Sequence, residues 1–298
     1  MNAKVKVARL LLFSNSTLII LKLIVRLATG SVSIISKAIH STMDLLAAII
    51  AFFSVKISDK PADDIHPYGH GKIENVSGVI EALLILAASI WIIIEAVKKL
   101  MVPGEVASIG LGFIVMFISS AINFIVSRKL YKVAKQEDSI ALGADALHLK
   151  ADVYTSLGVG IALFLIWITK FNFLDPIVAI LVAIFILKEA IELLISAFNP
   201  LLDVKLSNDE IKVIKDSINK FSAIYCNYHN FKTRKSGRVR YIELHLAFPE
   251  NMRIKDAHDV YDKIENDIKK SLNHSEIMIH LESSENSPNC DNCRNKCN

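Results

Sequence analysis

Six long apolar stretches, at roughly residues 8–27, 33–55, 77–97, 106–127, 142–168 and 174–197, fill the first two thirds of the chain. About 20 apolar residues of helix are needed to cross the hydrocarbon core of a bilayer. In lipid every backbone N–H and C=O must find its partner inside the structure, so stretches of this kind are read as transmembrane helices. With 52% hydrophobic residues and a mean hydropathy of +0.41, the 298-residue chain is too apolar for an ordinary soluble domain. Beyond Pro200 the composition turns polar, and no later segment is suited to crossing a membrane. The sequence therefore divides into a six-span membrane domain over 1–200, a soluble domain over 201–284 and a cysteine-containing tail over 285–298.

Basic residues set the expected orientation, because cytoplasmic loops retain Lys and Arg. Lys4, Lys6 and Arg9 precede or open the first span, and Lys56, Lys60 and Lys72 lie between the second and third. Arg128, Lys129, Lys132 and Lys135 lie between the fourth and fifth, against Lys98, Lys99 and Lys170 on the other side. Both termini are expected in the cytoplasm, with the protein integral to the plasma (inner) membrane. The first apolar segment is longer than a signal-peptide core and lacks a small-residue cleavage site, so it reads as a retained span. The net charge of +4 is small and spread along the chain, which gives no reason to expect nucleic acid as a partner.

Two spans each carry a His and an Asp four residues apart, His40 with Asp44 and His148 with Asp152. That spacing puts both side chains on one face of a helix, about one turn apart. Ionisable groups in hydrocarbon cost about 2.5 to 3.5 kcal/mol each on insertion scales, so such pairs mark a functional site. Two facing helices would offer two imidazoles and two carboxylates, a tetrahedral set suited to a divalent metal such as zinc. The bland alternative is interhelical hydrogen bonding, but two pairs of identical spacing favour metal. A histidine must be neutral to bind metal, so loading such a site releases protons and protonation releases the metal. Asn15, Lys22 and Asn123 in other spans could line the path of the ion, but packing or snorkelling is the favoured reading. Lys37 and Lys150 are read as pointing away from the site, Lys150 because it lies two positions from both His148 and Asp152.

Outside the spans, DKPADDIHPYGHGK places Asp63, His66 and His70 at separations of three and four, a partial metal site shaped by Pro67, Gly69 and Gly71. The domain after residue 205 reads as helix, strand, strand, helix, strand: LSNDEIKVIKDSINKF, AIYCNYHNFKTR, RVRYIELHLAF, a helix from about Lys255 to Leu272, and EIMIHLE. His229, His245, His258 and His280, with Glu282, fall on these elements without any local spacing that links them. Cys290, Cys293 and Cys297, three of the four cysteines, close the polar tail; in a reducing compartment such thiols suggest soft-metal binding.

These features resemble the cation diffusion facilitator family of metal/proton antiporters, from about residue 8 to residue 284. The resemblance is carried by SVSIISKAIHSTMD, PADDIHPYGHGKIE, ADALHLKADV, the LDP of Leu174 to Pro176, and the order of elements in the tail domain. It implies an α-helical membrane domain of six transmembrane helices followed by a ferredoxin-like (αββαβ) cytoplasmic domain that dimerises and senses metal. It further implies a transport site of His40, Asp44, His148 and Asp152 and a loop site of Asp63, His66 and His70. A binuclear cytoplasmic zinc site would map onto His229, His245, His258, His280 and Glu282, and an ion pair across the dimer onto Lys72 and Asp203. Many bacterial members have Asp where this chain has His40, and the His form is similar to zinc-selective relatives. Some relatives place Asp where this chain has Glu282, and the cysteine tail lies outside the family pattern.

The expected function is export of Zn²⁺ from the cytoplasm by a homodimeric secondary transporter, coupled to inward proton movement. The same mechanism with Fe²⁺, Mn²⁺, Co²⁺ or Cd²⁺ is the nearest alternative, since first-row ions share such ligands. A membrane-bound metal sensor that does not transport is a further one. An intramembrane metalloprotease would want the Glu of HExxH beside its ligands, whereas residues 41 to 43 are Ser, Thr and Met.

Overall fold

The computed structural model describes the backbone of residues 3–29, 33–101, 111–169, 171 and 173–284. Within these, side chains are described except at 19, 21–29, 33–44, 111–116, 159–160, 162–167 and 175. The chain forms two units, residues 1–198 and 199–298.

The first unit is a bundle of α1 (Ala3–Thr29), α2 (Ser33–Ser58), α3 (Lys72–Met101), α4 (Leu111–Glu137), α5 (Ile140–Thr169) and α6 (Leu174–Phe198). The helices overrun the apolar stretches that mark them, because hydrophobicity reports only the part expected in lipid. Thus α3 begins at Lys72 and α4 runs on through the basic segment to Glu137. With 30 residues and an 18-residue stretch of mean hydropathy 2.3, α3 is long and apolar enough to cross a bilayer.

Packing in this unit inverts the soluble pattern. Its buried positions are rich in alanine, among them Ala8, Ala48, Ala51, Ala82, Ala141, Ala144, Ala190 and Ala197, while Phe13, Phe53, Trp91, Phe117 and Leu181 lie exposed. Helices surrounded by lipid gain little from burying large apolar side chains and associate instead through small residues that allow close approach. Gly78 is the tightest case: a Cβ there would lie 2.7 Å from Ile140 Cγ2 and 3.2 Å from Ala197 Cβ. One buried cluster joins α1, α2, α4 and α5 through Leu11, Val55, Leu130 and Leu142, and a second joins α3 and α6 through Ile85 and Ile186. Because Leu147, Ala151 and Tyr154 pack on the second cluster while Leu142, Ala146 and Leu149 belong to the first, α5 is shared by both.

The second unit opens with a short 3₁₀ turn, Asn199–Leu202, followed by α7 (Asn208–Asn219), β1 (Asn227–Ser236), β2 (Val239–Phe248), α8 (Ile254–Ser271) and β3 (Ser275–Ser283). A capping box starts α7: Ser207 accepts from the Glu210 backbone N–H, and Glu210 accepts from the Ser207 backbone N–H. The sheet order is β1-β2-β3, with β1 and β2 antiparallel and β2 and β3 parallel. The hairpin turns at Gly237, whose φ of +57° suits a residue without Cβ. Ile242, Leu244 and Leu246 of β2, with Ile277 and Ile279 of β3, face a core completed by Ile214 and Ile218 of α7 and Val260, Ile264 and Ile268 of α8. Strand alternation sends Glu243 and His245 to the opposite face, which carries no helix of that core. This is the ferredoxin-like order of helices and strands.

Candidate metal centres

In the bundle, His148 and Asp152 stand one turn apart on α5, both half-buried. Asn123 of α4 donates from Nδ2 to Asp152 Oδ2 at 3.3 Å. Asn123 thus braces a candidate ligand, as metal-site carboxylates commonly require. Lys150 projects elsewhere, its Nζ 3.2 Å from Glu189 Oε2 on α6 and over the Tyr154 ring. Asn15 is buried in α1. His40 and Asp44 fall in α2, and their side chains, like those of Lys22 and Lys37, lie outside the described residues.

Between α2 and α3 the structure brings Asp63, His66 and His70 together, with one ligand atom from each within 4.8 Å of the others. Local hydrogen bonds shape this loop. Asp63 Oδ1 accepts from the backbone N–H groups of Ile65 (3.1 Å) and His66 (2.6 Å), an Asx-type turn. The Gly69 N–H closes a further turn onto the His66 carbonyl at 2.9 Å, with Pro67 in the position its fixed φ favours. Gly69, at φ +74°, then turns the chain so that His70 Nε2 comes to 3.4 Å from Asp63 Oδ2. The His66 and His70 rings are 4.3 Å apart. The backbone N–H of His66 is the largest of the influences holding the Asp63 carboxyl below its ordinary range, so it stays ionised and able to ligate. His70 is buried, and its Nδ1 has no hydrogen-bond partner among the described residues.

The second cluster is assembled by strand register. His229 of β1 pairs with His245 of β2, and His245 pairs with His280 of β3, so three imidazoles form one row across the sheet. Ring centroids are 5.0 Å apart for His229 and His245 and 4.7 Å for His245 and His280. Glu282, two residues beyond His280, reaches back with Oε1 3.4 Å from His229 Nε2 and Oε2 3.4 Å from His245 Nδ1. A bulge after His229, with Asn230 at φ +50°, brings the Asn230 amide to 3.0 Å from His245 Nε2. With Asn230 donating there, His245 carries its proton on Nδ1, facing Glu282, and a cation between them would displace it. Glu282 Oε1 is buried without a hydrogen-bond partner. Two imidazoles and an under-satisfied carboxylate fit zinc or a neighbouring dication as a resident ion. His258 is not brought to this group within one chain: on α8 it is exposed, its Nδ1 3.4 Å from Asp262 and its ring against Tyr261.

Several charged residues acquire a place that the sequence reading did not give them. Lys4 and Glu74, each 2% exposed, meet at 2.8 Å, and Lys4 also lies 3.1 Å from Asp59. Ser58 and Ser139 both donate to Glu74, so one buried carboxylate ties the ends of α1, α2, α3 and α5. Glu81 and Asp145 are buried inside the bundle. An acidic residue within an apolar span was the available signal for Glu81, and the three-residue step from Asp145 to His148 was the signal for Asp145. Lys72 opens α3, and Asp203, at φ +54°, lies 3.7 Å from Arg234 within the second unit. Cys290, Cys293 and Cys297 lie outside the described residues.

Fold and clusters together define a helical integral membrane protein with an appended α/β domain and imidazole-carboxylate groups in each part. Residues 8–202 match the cation efflux transmembrane domain and residues 206–284 the cation efflux protein cytoplasmic domain, so the chain belongs to the cation diffusion facilitator family of cation efflux transporters. It is 33% identical over 254 residues to the uncharacterized transporter sll1263 of Synechocystis sp. (strain ATCC 27184 / PCC 6803 / Kazusa), covering 85% of this chain and 82% of that one. It is 30% identical over 265 residues to the cation-efflux pump FieF of Salmonella agona (strain SL483), covering 89% and 88%. Among solved structures it is similar to the metal-bound C-terminal domain of the CzcD transporter from Thermotoga maritima, with 25% identity and a TM-score of 0.26, covering 28% of this chain and 100% of that domain.

Proposed function

We propose that this transporter exports Zn²⁺ from the cytoplasm in exchange for protons, as a homodimer with both termini cytoplasmic. The reading rests most on α5, where His148 and Asp152 share one face and Asn123 holds the carboxylate of Asp152. Together with His40 and Asp44 of α2 they are proposed as the transport site. Two imidazoles and two carboxylates balance the charge of a dication while keeping the nitrogen donors zinc favours; Mn²⁺ favours oxygen-richer sets. Exchange follows from the donors, since each imidazole must be deprotonated to bind and its protonation expels the ion.

The loop group Asp63, His66 and His70 is proposed as a second metal site, and the sheet group His229, His245 and Glu282, with His280 beside it, as the site at which cytoplasmic metal tightens the dimer. Lys72 of one protomer with Asp203 of the other is the proposed ion pair between halves.

Transport into proteoliposomes under an imposed pH gradient, with Zn²⁺, Fe²⁺, Mn²⁺, Co²⁺ and Cd²⁺ in competition, tests the substrate and the coupling together. Zn²⁺ should compete best and its flux should follow the gradient; a rate indifferent to the gradient would exclude antiport. Asp152→Ala should abolish flux, and undiminished flux would reject the site.

A further inference from the structure

Lys4 is 2% exposed, although it stands at the start of α1. Its ammonium donates to Glu74 Oε1 at 2.8 Å and lies 3.1 Å from Asp59 Oδ1 as an ion pair. Asp59 directly follows α2 and Glu74 lies in the first turn of α3, so the two partners flank the loop that carries Asp63, His66 and His70. One cation from a third helix thus pins both ends of that loop. Two hydrogen bonds stitch the same junction, from Ser58 Oγ to Glu74 Oε1 at 2.8 Å and from Ser54 Oγ to the Ile73 carbonyl at 2.9 Å. Ser139 donates to the other carboxylate oxygen of Glu74.

Spacing gives this clamp a target. Asp59 lies four residues before Asp63, and Glu74 lies four residues after His70. The two arms of the loop therefore meet twice: at the stem, where Lys4 holds Asp59 and Glu74, and farther out, where His70 Nε2 lies 3.4 Å from Asp63 Oδ2. His70 is tied to the stem by the first turn of α3, in which the Ile73 N–H donates to the His70 carbonyl at 3.1 Å and the Glu74 N–H to the Gly71 carbonyl at 3.2 Å. The Asx turn sets Asp63 against His66, whereas His70 belongs to the α3 arm and takes its place from where that arm is held.

We propose that Lys4 is the positioning residue of the loop metal site, a clamp that holds the α2 and α3 arms at the separation at which Asp63, His66 and His70 share one cation. The proposal rests on the reading of those three residues as a metal site given above. A buried ion pair adds little stability, because desolvation offsets most of its Coulomb gain, so its value here is the single geometry it imposes. Lys4 touches no ligand and acts through Asp59 and Glu74. Without it the arms sample separations that no single ion bridges, and binding must then meet the entropy of closing the loop.

Equilibrium binding of Co²⁺ to the full-length chain in lipid nanodiscs tests this, in a background where His229→Ala, His245→Ala, Cys290→Ser, Cys293→Ser and Cys297→Ser remove the other clusters. Two sites remain, assigned by Asp63→Ala for the loop and Asp152→Ala for the bundle. Lys4→Met alone would strand two carboxylates, so the neutral set Lys4→Met, Asp59→Asn and Glu74→Gln removes the three charges together. The set should weaken loop binding about 10 to 100-fold, the range for groups that orient metal ligands. The cation at His148 and Asp152 should keep its affinity, which reports a folded bundle. With Asp152→Ala added, the visible absorption of loop-bound Co²⁺ should pass from the intense bands of a four-coordinate ion toward the weak bands of a six-coordinate one as His70 leaves. Parental loop affinity or an unchanged spectrum in the neutral set, with the loop cation lost in Asp63→Ala, would overturn the proposal and leave the loop site standing. Equal weakening at both sites would make Lys4 a general fold residue and overturn it as well. A chain that loses no cation in Asp63→Ala would reject the loop site and the proposal with it.

Discussion

The loop cluster and the sheet cluster offer similar donors, two imidazoles and a carboxylate each, yet they are built by opposite means. Asp63, His66 and His70 lie within eight consecutive residues and are shaped by an Asx turn, a Pro-Tyr turn and one glycine with positive φ. His229, His245 and Glu282 come from three strands and meet only because register and a bulge align them over a hydrophobic core. A locally encoded cluster survives damage to a different unit of the chain. A register-encoded one is only as secure as the domain that sets the register.

The sharpest way to break the contrast is Leu244→Ala in the core beneath the sheet cluster. Such a deletion costs about 2 to 5 kcal/mol, a large part of a small domain's stability. Metal binding at the sheet cluster should be lost or become strongly temperature-dependent, while loop binding stays intact, as calorimetric titration of each isolated cluster would reveal. Equal damage to both would remove the distinction.

His245→Ala leaves the fold but takes the imidazole at the centre of the row. Replacing groups that merely orient ligands costs about 10 to 100-fold in affinity, so loss of a ligand itself should cost at least about 100-fold. Loop binding measured in the same sample should not change.

Gly69→Ala probes the local device. Holding an L side chain in the left-handed region costs about 1 to 2 kcal/mol, or roughly 5 to 30-fold in loop affinity. An unchanged loop affinity would mean that the turn adapts and that positive φ is not needed.

Acidity separates the clusters more gently. Asp63 is held below its ordinary range, chiefly by the His66 backbone N–H, so its charge is present above that range and is lost only as pH falls through the lowered value. Asp63→Asn, which removes that charge, should therefore weaken loop binding at every pH above the ordinary carboxylate range. An affinity equal to the parent's would show that the charge is not used.

The smallest effect belongs to Glu210. Burial would raise its carboxyl, but Arg240 and Ser207 outweigh burial and hold it below its usual value. Its contribution is present above the ordinary carboxylate range and lost as pH falls through the lowered value. Glu210→Gln should cost about 0.5 to 1 kcal/mol, because the group is partly exposed to screening solvent, and should lower the melting temperature of the domain by a few degrees. Loop binding should not respond.

Much of this was legible in the chain. Apolar stretches marked all six bundle helices, since backbone satisfaction in lipid leaves few options, and alternation marked the strands. The loop group was legible because the spacing of Asp63, His66 and His70 and the Pro and Gly residues among them act within a few residues. Asn123, Glu81 and Asp145 were not, because their meaning depends on which helix faces which. Glu74 and Lys4 likewise read as ordinary flanking charges until the bundle buried them together.

The sequence by itself determined the apolar spans, the order of helices and strands in the second unit, and the His/Asp spacing on α5, all of which follow from periodicity and local backbone preference. Only the tertiary structure decided that His229, His245 and Glu282 meet while His258 stands apart, and that Glu81 and Asp145 are buried within the bundle. The physical reason is range: period and turn chemistry act over a few residues, whereas strand register and helix facing are settled by packing across the whole unit.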